Sequence, residues 1–161
     1  MIDAAVQLAG VVTGSWTQTN PPTGSMYFGF DEINPNNPRI QVCFQNMNEV
    51  KTFVADNTYK VEDTVKISVY LRPINSQTSQ IAEAKTTYNN ILTEVDSLLN
   101  GAKFTTNLLN EVWLGNWREV NFGVGRSVKP TVFHSEQIIK TLYYLTDSTY
   151  SQSAFAFIWL S

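Results

Sequence analysis

The residues of this chain that could do chemistry are few: one histidine, one cysteine and two adjacent carboxylate pairs. His134 stands within a β-branched and aromatic run, residues 131–145, where a strand would hold it. A Ser–His–acid arrangement needs a nucleophile and an orienting acid beside the ring, and no nucleophile-elbow motif accompanies it. His134 therefore reads as a surface or interface histidine. Cys43 lies between Val42 and Phe44 in an alternating run and reads as a packed strand residue, because a free thiol behaves as a small hydrophobe. One Cys and one His do not make a standard zinc centre. Asp31-Glu32 and Glu62-Asp63 are neighbours in sequence, but adjacent side chains of an extended chain point to opposite faces, so neither pair is a ready chelate. Gly123-Val124-Gly125-Arg126 superficially resembles a phosphate cradle, yet it lacks a Walker pattern and precedes a strand rather than a helix. These residues imply no catalytic site, no cofactor and no metal.

The aromatic residues are the second group with chemical content. Trp113 and Trp117 are expected on one side of an extended segment, residues 111–122, with Val112 and Leu114 on the other. Such a pair could form a stacking platform for a sugar or base. Packing at a core or subunit interface is the preferred reading, since Trp and Tyr suit surfaces that are apolar at one end and wet at the other. The same reading takes in Tyr143, Phe155, Phe157 and Trp159, and Arg126 and Lys129 are expected to contact an acidic partner.

The elements that must position these residues follow from periodicity. Tyr59, Val61, Val65, Ile67, Val69 and Leu71 alternate, interrupted by Asp63, and predict a long strand with one buried face. Ile81, Ala84, Tyr88, Ile91, Leu92, Val95, Leu98 and Leu99 recur at helical spacing, with Asn100-Gly101 as the stop. That predicts an amphipathic helix of about five turns, packed through Ile81, Tyr88, Ile91, Val95 and Leu98. Upstream, residues 2–8 predict a short helix, 10–24 a loop, 26–30 a short strand, 39–45 a strand and 51–55 a weaker one. The fold class expected is α+β, with a largely antiparallel or mixed sheet and one long helix across it.

A length of 161 residues fits a single domain, with residues 1–38 and 147–161 as candidate interface segments. With 43% apolar residues and 12% aromatics the chain is expected to be globular rather than disordered. A net charge of −3 argues against a binder of nucleic acid that works by phosphate neutralisation. No stretch approaches the roughly 20 apolar residues of a membrane-spanning helix, and residues 1–10 lack the basic start of a secretory signal.

Taken in order, "PRIQVCFQ", "KVEDTVKISVYLRP", "SQIAEAKTTYNNILTEVDSLLN", "NEVWLGNWREVNFG" and "VFHSEQIIKTLYYL" resemble the tail terminator (tail completion) proteins of tailed viruses, over residues 39–145. The resemblance implies a non-enzymatic virion subunit that self-associates as a ring, commonly a hexamer. Such a subunit caps the tail tube and meets the head connector. It would sit in the tail or neck of the virion, and in the host cytoplasm before assembly. The alternative is a small soluble ligand-binding module whose aromatics line a pocket.

Overall fold

The computed structural model describes residues 3–17, 26–34, 36, 38–102, 110–120 and 132–146. Two helices and six strands are formed by them: α1 (Ala4–Gly14), β1 (Met26–Gly29), β2 (Ile40–Ala55), β3 (Thr58–Leu71), α2 (Thr78–Leu99), β4 (Asn110–Trp113), β5 (Arg118–Glu119) and β6 (Phe133–Thr146). The strands make one sheet in the order β1-β2-β3-β6-β4, with β5 also paired to β6. All pairs are antiparallel except β1 with β2. The fold is α+β, with two helices beside the sheet, α1 of 11 residues and α2 of 22.

The centre of the sheet follows from alternation. Val61, Val65, Ile67, Val69 and Leu71 of β3 are buried, and opposite them lie Phe44, Val42 and Ile40 of β2 and Ile139 and Tyr143 of β6. On α2, Ala84, Tyr88, Ile91, Val95 and Leu99 share one face and join the same core. Asn100 ends the helix and Gly101 follows with φ +73°, a left-handed turn that glycine adopts without steric cost.

Three local expectations are corrected. The first helix runs through Gly10 to Gly14, where a loop was expected. Ala5, Leu8, Ala9 and Val12 are buried at helical spacing, while Gly10 faces open space, so packing on one face outweighs a glycine's modest helix penalty. Its start is doubly fixed. The Asp3 carboxylate accepts from Val6 N at 3.1 Å, and Asn46 of β2 accepts from Ala5 N at 3.0 Å while donating to Asp3 at 2.8 Å.

Second, the two strands expected at 39–45 and 51–55 are one strand of 16 residues. Its pairing with β3 shifts between Asn46 and Asn48, and again between Phe53 and Ala55. The extra residues, Met47 and Val54, are β-bulges, and each reverses which residues face the helices. Third, residues 111–122 do not continue as one extended segment. Between β4 and β5 the chain presses Gly115 against β6, so tightly that a Cβ there would lie 2.5 Å from the Ile138 carbonyl oxygen.

Candidate functional site

Both helices lie on one face of the sheet. That face carries the bonds from Tyr88 to Ser135, from Gln137 to Asp96 and from Ala5 to Asn46. The opposite face divides in two. Near β1, Gln41, Cys43, Ser68, Tyr70 and His134 are buried. Gln41 there grips the strand-flanking segment, accepting from Asn34 N at 3.1 Å and donating to Asn34 O at 2.7 Å. Towards the β2–β3 turn the same face is open, and Ile138 and Trp113 are exposed.

The most distinctive surface is the outer half of β2. β1 pairs only with Ile40, Gln41, Val42 and Cys43. From Asn46 to Ala55 no other described strand pairs with the outer edge of β2. Apolar side chains nevertheless concentrate there: Phe53 is 61% exposed, Val54 52%, Met47 53% and Val50 47%. Phe53 stacks edge-on against Tyr59 across the hairpin, with centroids 5.6 Å apart. An unpaired edge with exposed hydrophobic residues is a template for strand addition, which native monomers usually blunt.

Two recesses flank this region. One, of about 460 Å³, lies between the start of α1 and the Met47 bulge, lined by Asp3, Asn46, Glu49 and Asp63 among others. Burial, then the nearby Glu49 charge, raises the Asp63 carboxyl to about 6, although a hydrogen bond with Tyr143 opposes the shift. Burial and the Asp63 charge push the Tyr143 phenol upward in turn. The second recess, of about 240 Å³, is lined by Glu32, Ile33, Gln45, Lys66, Ser68, His134 and Glu136. These linings are mostly polar or charged, unlike the aromatic-lined pocket of a ligand-binding module. Among the described residues no group of three or more His, Cys, Asp or Glu could hold a metal ion. Among them, too, no helix is long and apolar enough to cross a membrane.

His134 is buried rather than superficial, because the cross-strand neighbour it faces is Tyr70, whose ring meets it edge-on at 6.1 Å. Burial holds its imidazole below the usual range, against the opposing pull of Glu136. Burial also pushes the Cys43 thiol up to about 12, with the Asp31 charge adding to the effect.

The aromatic residues are not brought together as expected. Trp113 is exposed on the open face, whereas Trp117 is half-buried on the helix side and donates from its indole nitrogen to Asp96 at 3.0 Å. The break at Gly115 ends the alternation that would have kept the two on one side. Tyr143 is fully buried and belongs to the core rather than to an outer surface, since it points to the helix face opposite Val61. Arg126, Lys129, Phe155, Phe157 and Trp159 lie outside the described residues. Sequence reasoning missed the Asp3–Glu49–Asp63 recess. Its signal was Asp63 itself, one carboxylate inside an otherwise apolar alternation.

No family model matches the chain, and no curated protein matches it. Among solved structures, a chain from a structure described as the virion of a native gene transfer agent particle is similar, with a TM-score of 0.44 at 12% identity. The match covers 85% of this chain and 84% of that one. At that distance the likeness carries no argument about what this chain does.

Proposed function

We propose that this chain is a non-enzymatic virion structural protein, a subunit of the tail terminator kind that self-associates, caps a tail tube and meets the head connector. The observation that carries the reading is the outer half of β2, where no other described strand pairs with the outer edge and Val50, Phe53 and Val54 are exposed. An apolar edge of that length is costly in an isolated subunit and useful in an assembled one. The order of strands and helices in the sequence agrees with that family. A ring is the expected form, because a patch that meets a different patch on its neighbour closes by rotation.

Light scattering on a sizing column, over a range of protein concentrations, tests the self-association. A discrete oligomer supports it. A monomer at every concentration, which also leaves preformed tail tubes uncapped in electron micrographs, overturns it.

A further inference from the structure

We propose that the recess between the start of α1 and the Met47 bulge binds an organic cation with several N–H donors, an alkylammonium or guanidinium group, held by Glu49 and Asp63. The site is independent of the assembly reading above.

Three observations meet here. First, the bulge sets two carboxylates opposite each other. Val65 pairs with Asn46, and in an unbroken ladder Asp63 would then meet Asn48. The extra residue, Met47, advances the register, and Asp63 meets Glu49 instead. Like charges directly opposite each other on a sheet are destabilising. The local backbone thus creates a negative pair that a positive group would relieve.

Second, Asp63 is 5% exposed and lines the recess, yet its Oδ2 has no hydrogen-bond partner. Tyr143 hydrogen-bonds to the same carboxyl, and Glu49 lies within hydrogen-bonding reach of it. Two ionised carboxylates are acceptors only, so Glu49 and Asp63 cannot satisfy each other. A buried acceptor on the wall of a recess calls for a donor from whatever enters.

Third, the charge of the recess is one-sided. Asp3 joins Glu49 and Asp63 in the lining. Its carboxylate accepts from Val6 N and from the Asn46 side-chain amide, which fixes its place. Among the described residues, Lys51 is the cation paired there, 3.5 Å from Glu49, one positive charge against three carboxylates. The three carboxylates do not converge as ligands of a metal ion. A recess of about 460 Å³ instead admits a group of several atoms, whose N–H donors reach separate carboxylates. Glu49 is the more exposed of the pair and would meet the cation first, with Asp63 Oδ2 taking a donor further in.

Agmatine, with a guanidinium at one end and an ammonium at the other, is the probe. Tetramethylammonium, a cation without N–H donors, is the control. Isothermal titration calorimetry of the full-length protein at low ionic strength follows both. Agmatine is expected to bind the wild type saturably at pH 7, about tenfold more tightly than the control. Glu49→Gln and Asp63→Asn are each expected to weaken it about tenfold. Circular dichroism verifies their folding, and Asp3→Asn, which retains an N-capping side chain, stands in for a variant that does not fold. A cation favours the ionised Asp63 carboxyl, which otherwise keeps its proton up to about pH 6. Wild-type affinity is therefore expected to fall about tenfold from pH 7 to pH 5, whereas that of Asp63→Asn stays level.

An absence of saturable binding to the wild type overturns the proposal. So does agmatine binding that the variants match, or control binding as tight as agmatine's, because both describe general attraction to an acidic protein. Where agmatine binds as expected, light scattering assigns the source of the natural cation. Dissociation of a wild-type oligomer by agmatine places the group on a neighbouring chain, and an unchanged mass makes it a free amine.

Discussion

Asp96 of α2 accepts the indole N–H of Trp117 on one carboxylate oxygen, and on the other accepts the side-chain amide of Gln137 from β6 at 2.5 Å. One side chain thereby ties the long helix both to the sheet and to the segment between β4 and β5. Replacing Asp96 with Ala leaves a buried amide and a half-buried indole without this acceptor. The expected cost is about 1–3 kcal/mol. Urea unfolding followed by tryptophan fluorescence measures it, and an unchanged midpoint would remove the clamp from the account of stability.

Asp63 gives the protein a pH-dependent term of unusual sign. Its folded value of about 6 lies above the ordinary carboxylate value of about 3.9. Between those two values the folded state holds the proton more tightly than the unfolded chain. The stabilisation is therefore present at pH 4 and is lost as the pH rises through about 6. Asp63→Asn, which keeps an acceptor for Tyr143 and carries no charge, is expected to gain on the wild type across that window. The gain should reach on the order of 2 kcal/mol at pH 7.5 and shrink towards pH 4. Paired urea titrations at the two pH values measure the difference, and a gap independent of pH would contradict it.

Asp56 and Asn57 make the β2–β3 turn with φ of 46° and 62°. Two consecutive left-handed residues in a two-residue hairpin are the geometry in which Asn and Gly are favoured and β-branched residues are strained. Asn57→Gly is expected to be neutral or stabilising by a few tenths of a kcal/mol, and Asn57→Val to cost about 1–2 kcal/mol. Thermal unfolding separates the two, and a Val variant as stable as the wild type would argue for a different turn.

Gly115→Ala places a methyl group 2.5 Å from a backbone oxygen of β6. Backbone cannot swing aside as a flexible side chain does, so the segment itself must move. The expected result is a loss of about 1–3 kcal/mol, the range for overpacking, together with a red-shifted Trp117 emission as the indole leaves Asp96. Unaltered emission and stability would show that the approach is looser than described.

The parts of this fold that were legible in the sequence are those where one period runs unbroken. β3 alternates from Tyr59 to Leu71, and α2 keeps its apolar stripe from Ala84 to Leu99, so both could be read directly. β2 was read as two strands because Met47 resets the phase. Ile40, Val42 and Phe44 take the helix side before the bulge, whereas Glu49, Lys51 and Phe53 take it after. Periodicity within a window does not survive an inserted residue. The extension of α1 was hidden for a different reason: Ala9 and Val12, on either side of Gly10, become core residues because β2, β3 and α2 pack against the helix. The acidic recess was illegible because Asp3 and Glu49 meet Asp63 across three elements, a juxtaposition fixed by strand register rather than by spacing along the chain.

Cys43 is the sole cysteine of the chain, and it is shut inside the sheet with its thiol pushed up to about 12. At neutral pH such a group stays un-ionised and out of reach of maleimides and iodoacetamides, which attack the thiolate. A cysteine introduced on the surface would therefore be the one that reacts. The native sequence thus serves as its own background for spectroscopic labelling, and a probe at the hairpin tip can report distances between copies with no native residue replaced elsewhere.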